Sequence, residues 1–165
     1  MSTTHFHGNE VPLVGDLPVV GDKLPSFALV KGDLSEVTNA DFEGKRLILN
    51  IFPSVDTGVC AQSVRVFNEK ASQLDNTVIL CISADLPFAQ SRFCGAEGIN
   101  KVETVSSFRS SFGKNMGVLL AGSPLAGLLA RAVIVVDESG IVRHVELVEE
   151  IAQEPSYDAA LAVLG

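Results

Sequence analysis

RLILNIFPSVDTGVCAQSVRVFNEKASQLDNTVILCIS, residues 46–83, carries two apolar, β-prone runs, RLILNIF (46–52) and TVILCIS (77–83), on either side of a helix-like segment. Unbroken runs of this kind suit strands buried on both faces of a parallel sheet. Between them Val59, Val64, Phe67 and Ala71 recur near the helical period. The stretch therefore predicts a strand, helix, strand unit with a right-handed crossover. Thr57-Gly58 breaks the first strand, so Cys60 falls in the first turn of the helix.

Outward from this unit, THFHGNEVPLV (4–14) predicts two short strands about a turn at Gly8-Asn9, with Pro12 assigning the second to a sheet edge. FALV (27–30) reads as a strand, and SEVTNADFEGK (35–45) as another strand and a one-turn helix before Gly44. In ADLPFAQSRFCGAEG (84–98), Asp85 is the expected N-cap, Pro87 lies in the first turn and Gly95 is the expected end. VETV (102–105) reads as a strand and SSFRSSFG (106–113) as a helix. AVIVVDESGIVRHVELV (132–148) is a hairpin turning at DESG, and SYDAALAVL (156–164) a capped helix. This order predicts an α/β chain of thioredoxin-like architecture: a central mixed β-sheet flanked by helices on both faces, with an N-terminal β-hairpin extension over residues 1–20. At 165 residues and 47% hydrophobic, the chain suits one domain, residues 1–165, around one core.

Twelve basic against twenty acidic side chains give a net charge of −8, which repels nucleic acid phosphates and anionic membrane surfaces. The first residues, MSTTHFHGNEVPLVG, lack the basic head and apolar core of a secretory signal, so a cytoplasmic, reducing location is expected. MGVLLAGSPLAGLLARAVIVV (116–136) has the length of a membrane span. Gly117, Gly122, Ser123, Pro124, Gly127 and Arg131 interrupt it, and it reads instead as a loop, a short helix and a buried strand.

Three cysteines, Cys60, Cys81 and Cys94, are too few for a secreted disulfide framework. Cys81 lies among apolar neighbours and reads as an inert packed thiol. Cys60 sits where unpaired helix N–H groups and the helix dipole favour an anion, which suits a reactive thiolate. Cys94, near a helix end beside Arg92, is the other redox candidate, and its separation from Cys60 is far from the spacing of a CxxC dithiol. His5 and His7, expected on one face of a strand, and His144 form no metal-ligand pattern with the cysteines. None stands in the setting of a cysteine-hydrolase base. On residue type alone, Thr57 is a turn or cap residue and Arg131 a surface ion-pair partner.

PSVDTGVC carries Pro53, Thr57 and Cys60 in the PxxxTxxC arrangement and resembles the peroxiredoxin signature. With SRFCGAEG and the arginine of LARA, the chain resembles the bacterial thiol peroxidases, the atypical two-cysteine peroxiredoxins, from the first hairpin to the last helix. The resemblance implies that Cys60 is the peroxidatic cysteine, Cys94 the resolving cysteine and Cys81 non-catalytic, with Pro53, Thr57 and Arg131 completing the site. It implies reduction of hydrogen peroxide and, preferably, alkyl hydroperoxides through an intramolecular Cys60–Cys94 disulfide. Thioredoxin is the implied reductant and a homodimer the implied assembly, with no metal, haem, flavin or nicotinamide cofactor. GVLLAGSPLAGLL (117–129) would line a pocket for bulky hydroperoxides, or else form core or subunit interface. A redox-sensing regulator and a non-catalytic interaction domain are the rival classes, and the complete signature favours the enzyme over both.

Overall fold

The computed structural model describes residues 2–164, and its centre is the apolar pair of runs. Strands β5 (Arg46–Ile51) and β6 (Thr77–Ser83) pair in parallel, with Ile48 opposite Ile79 and Asn50 opposite Cys81. Helix α1 (Gly58–Ala71) makes the crossover between them. Beside β5 lies the hairpin of β9 (Ala132–Val136) and β10 (Val142–Leu147); beside β6 lie β7 (Glu103–Ser106), β3 (Ala28–Val30) and β4 (Glu36–Thr38). The seven strands run in the order β10-β9-β5-β6-β7-β3-β4, and both parallel and antiparallel pairs occur. This is the expected thioredoxin-like arrangement.

Alternation along β5 divides the core in two. Leu47, Leu49 and Ile51 point to one side, and Ile48 and Phe52 to the other. The second side is covered by α1, by α2 (Pro87–Glu97) through Phe93, and by α4 (Tyr157–Ala162) through Ala160. The first side departs from the expected layer of helices. It is covered by a three-stranded sheet, β1 (Thr3–Phe6), β2 (Asn9–Val14) and β8 (Leu119–Leu120), and by the one-turn α3 (Phe112–Asn115). Among the described residues no helix is long and apolar enough to cross a membrane.

Four local expectations change. The first hairpin turns at His7-Gly8, both with positive φ, one residue earlier than Gly8-Asn9, so His7 leaves the strand face it was expected to share with His5. Strand β2 is central in its small sheet and not an edge. Pro12 sits just past the end of the β8 pairing, where Ala121 N still donates to Pro12 O at 2.9 Å and only the return bond from the missing N–H is lost. Helix α2 runs through Gly95 and stops at Gly98, whose left-handed φ of 67° caps it; its N-cap is Leu86, and Asp85 points elsewhere. The helix expected over 106–113 shrinks to α3, and the short helix expected within 116–131 is replaced by β8 and turns. At Gly117, φ is +73° and a Cβ would fall 2.1 Å from the Asp16 carbonyl carbon, so this segment crosses the chain too closely for a helix there.

The hairpin extension is tied to the far end of the chain. Thr4 Oγ1 donates to Val148 O at 2.8 Å, His5 N to Glu149 O at 2.8 Å, and Ile151 N to His5 O at 2.8 Å. These bonds fix residues 148–151 over the C-terminal end of β5. Phe67, fully buried on α1 and edge-on to Tyr157 of α4, locks the helical side. Phe67→Ala should destabilise the fold by about 3–5 kcal/mol through the cavity it leaves, read as a lower urea midpoint with an unchanged slope.

Candidate active site at the start of α1

Strand β5 delivers the chain to Pro53, and residues 53–57 turn it into α1. Thr57 N and Thr57 Oγ1 both donate to Ser54 O at 3.2 Å, and Asp56 N donates to Ser54 Oγ at 3.1 Å. Thr57 is the N-cap with extended backbone, yet its side chain makes no capping bond; the hydroxyl stays at the exposed mouth of the site. Cys60, the third helical residue, is fully buried. Its Sγ receives a hydrogen bond from Arg131 Nη2 at 3.2 Å.

Arg131 is not the surface residue its type suggests: it is 2% exposed. Its carbonyl accepts from Val148 N at 3.0 Å and its Nε donates to Ile151 O at 2.7 Å, while Nη1 is buried without a partner. A buried guanidinium is costly to leave without partners, and the group that Nη2 faces is the Cys60 sulfur. Pro53, Thr57 and Arg131 line one cavity of about 210 Å³ with Phe6, Leu125, Leu128 and Ile151. The structure thus brings together Pro53, Thr57, Cys60 and Arg131 as a group. The 117–129 stretch divides between its two readings: Leu125 and Leu128 face the cavity, whereas Val118, Leu120 and Leu129 are core.

Cys94 is not in that group. It is half-buried on α2, with Sγ 3.4 Å from Thr104 Oγ1. Burial pushes its thiol above the ordinary range, partly offset by the Thr104 bond. Cys81 is fully buried, and burial pushes its thiol up to about 12. All three cysteines are unpaired. His5 and His7 are exposed, and His144 Nε2 is buried without a partner. Among the described residues no group of three or more His, Cys, Asp or Glu is placed to hold a metal ion.

Sequence reasoning missed Phe6 and Ile151, which reach the cavity from opposite ends of the chain and leave no local signal. It also missed Asp85, read as a helix cap, whose carboxylate holds Ser54 and Val55. A buried polar set links the sheet to the helix turn. Asn50 Nδ2 donates to Ser63 Oγ at 3.1 Å, and Ser63 Oγ donates to Cys60 O at 2.7 Å. Asn50, the one polar residue inside RLILNIF, was the available clue.

The different thiol environments give a labelling pattern. With iodoacetamide at pH 8, Cys81 of the native protein should remain unlabelled, and Cys94 should label slowly, faster as pH rises, because a raised pKa keeps it neutral at lower pH. Peptide mapping across pH 7–10 checks this. Because the folded state holds the Cys81 proton more tightly than the ordinary thiol value of 9.0, stability should also fall as pH rises from about 9 toward 12, where only the unfolded chain loses that proton.

Residues 19–161 match the redoxin family model. The chain is 63% identical to a thiol peroxidase of Corynebacterium glutamicum over the full length of both proteins. It is 55% identical to one of Mycobacterium tuberculosis, with 100% of this chain and 99% of that protein covered. A crystal structure of a peroxiredoxin-like protein from Aquifex aeolicus superimposes with a TM-score of 0.95 at 37% identity, covering 99% of this chain and 96% of the other.

Proposed function

The chain belongs to the thiol peroxidase family, and from that premise we propose which of its residues carry the reaction and in what order. The enzyme is a thiol-dependent peroxidase, taking a peroxide as substrate and a thiol as reductant. Cys60 acts as the peroxidatic thiolate. The sulfur attacks one peroxide oxygen in line, the O–O bond breaks, and the departing alkoxide takes up a proton and leaves as the alcohol, or as water from hydrogen peroxide. Cys60 becomes a sulfenic acid.

Negative charge develops on the departing oxygen, so donors aimed there accelerate the step. Arg131 is the fixed one, since its guanidinium stays charged and its Nε is held by Ile151 O. The unpaired N–H groups at the start of α1 are the others, joined by Thr57 Oγ1 once its hydrogen turns from Ser54 O to the peroxide. Pro53, with no N–H, shields the sulfur. The observation that carries this reading is the 3.2 Å contact of a buried Cys60 Sγ with Nη2 of Arg131, a residue that also lines the apolar cavity. The cavity walls, Phe6, Leu125, Leu128 and Ile151, favour organic hydroperoxides over hydrogen peroxide.

Cys94 gives up its thiol proton and its thiolate attacks the Cys60 sulfenic sulfur; the sulfur–oxygen bond breaks, and the departing hydroxide takes up a proton and leaves as water as the disulfide closes. A disulfide needs Cα atoms roughly 4.4–6.8 Å apart. Cys60 Sγ is engaged by Arg131 and Cys94 Sγ by Thr104, so the first turn of α1, the helix α2, or both rearrange. Ties that hold α2 and its exit to α1 and its entry loop loosen in that step. They include Arg92 to Asp56 at 3.1 Å, Arg65 to Glu97, and Asn68 Oδ1 to Lys101 N at 2.7 Å. Thioredoxin restores both thiols by dithiol exchange, its own pair becoming the disulfide. A homodimer in the cytoplasm, serving antioxidant defence, completes the reading. We take residues 1–165 as one domain, with residues 1–20 as its extension, because the two sheets share a core.

After one equivalent of cumene hydroperoxide without added thiol, the reduced chain should lose two hydrogens and yield a Cys60–Cys94 peptide by mass mapping. An unchanged mass, or a linkage through Cys81, would overturn the assignment. Arg131→Lys should slow the single-turnover oxidation of Cys60 roughly a hundredfold, since a point charge replaces the fixed fork; rapid-quench mass spectrometry reads the rate.

A further inference from the structure

Asp85 stands between the elements that carry the two reacting cysteines. It ends the segment after β6, two residues before Pro87 opens α2. Its carboxylate turns away from α2 to the loop that enters α1. Oδ1 accepts from Ser54 Oγ at 2.7 Å; Oδ2 accepts from Val55 N at 2.8 Å and from Ser83 Oγ at 2.6 Å. Behind it, the buried Gln90 of α2 donates from Nε2 to Ser83 Oγ at 3.1 Å and to Val105 O at 2.9 Å. The donors thus run in one direction, from Gln90 through Ser83 to the carboxylate.

The loop depends on this grip because it has little else. Ser54 Oγ, held by Asp85, accepts from Asp56 N, and Ser54 O accepts from both the N–H and the hydroxyl of Thr57. Val55 is 2% exposed, so its N–H would be left without water if the carboxylate were removed. Pro53 precedes the held pair, and Thr57 with the first N–H groups of α1 follows it. All of them border the cavity that Arg131 lines.

We propose that Asp85 is a positioning residue for the peroxide reaction: it holds the 53–57 loop in the shape that aims Thr57 and the α1 N–H groups at the substrate, without touching the substrate itself. The inference rests on the peroxidatic role of Cys60 proposed above. Reaction geometry is steep, and a misplacement of about 1 Å costs up to roughly a hundredfold in rate. An amide at this position can keep an oxygen toward Val55 N–H and present its NH2 to the Ser54 hydroxyl, which can turn to accept. Asparagine should therefore recover much of what alanine loses.

The test compares two reactions of Cys60 in single turnover: oxidation by cumene hydroperoxide, which needs the aligned loop, and alkylation by iodoacetamide, which needs the thiolate and a path to it but no aligned donors. Asp85→Ala should lower the peroxide rate about tenfold or more, leave alkylation of Cys60 within about twofold, and keep Cys81 unlabelled as a sign of an intact core. Asp85→Asn should fall between alanine and wild type. A peroxide rate for Asp85→Ala within about threefold of wild type would sink the proposal, as would a parallel loss of peroxide and iodoacetamide reactivity. If Asp85→Ala exposes Cys81 to alkylation, Ser54→Ala decides, with an expected loss of at least about threefold in peroxide rate and an unchanged rate counting against the proposal. A wild-type Cys60 that ignores peroxide while accepting iodoacetamide would overturn the peroxidatic assignment itself.

Discussion

A guanidinium 2% exposed to solvent, donating to the sulfur of a fully buried cysteine, is the constraint around which the molecule is arranged. Burying such a charge is unfavourable unless every flexible part of the side chain is held and a negative group faces it. The fold holds the Nε and Nη2 groups with elements distant in sequence, while Nη1 stays buried without a partner. Arg131 stands immediately before β9, the Ile151 carbonyl grips its Nε, and α1 presents the sulfur. The Ile151 carbonyl is itself placed by the bonds between β1 and residues 148–151, so the N-terminal hairpin serves the site twice, through this anchor and through Phe6 in the cavity wall.

The three thiols show how far surroundings override residue type. Cys81 lies between Asn50 and the apolar face of the sheet, where burial holds its proton to about pH 12 and leaves it inert. Cys60, equally buried, has a cation 3.2 Å away and the start of a helix around it. Cys94, half-buried against Thr104, is accessible enough to react but faces a different partner. The arrangement suits the proposed cycle, in which the site is dry and aligned for attack on peroxide and then comes apart for a disulfide to form. Ion pairs and hydrogen bonds between α1 and α2, several of them exposed and individually weak, are compatible with that opening.

Much of the fold was legible because its centre is extreme in composition. RLILNIF and TVILCIS could only be doubly buried strands, and the segment between them had to cross over as a helix. Pro53, Thr57, Cys60 and Arg131 were legible as a set through the resemblance, and the structure lines one cavity with Pro53, Thr57 and Arg131 and puts Cys60 Sγ against Arg131 behind it. The unreadable parts share a cause. Asp85 satisfies every local rule for an N-cap, yet two donors from the 53–57 loop and Ser83 together outcompete the α2 N–H groups for its carboxylate. Gly95 looks like a helix end, but only Gly98 adopts the left-handed conformation that ends α2. Within 116–131, close passage against Asp16 and pairing with β2 replace the helix that the apolar spacing favoured.

By itself, the sequence determined the order of the central strands and helices, the placement of Cys60 in the first turn of α1, and the inert setting of Cys81. Those features follow from periodicity, turn residues and burial of apolar runs, which act over a few residues. Only the tertiary structure decided that Arg131 is buried against the Cys60 sulfur, that Phe6 and Ile151 wall the cavity, and that Asp85 serves the 53–57 loop and not its own helix. Each of these depends on donors, acceptors or apolar surfaces that meet across 20 or more positions of chain, and a charge or hydrogen-bonding group takes whichever partner the packed fold brings nearest.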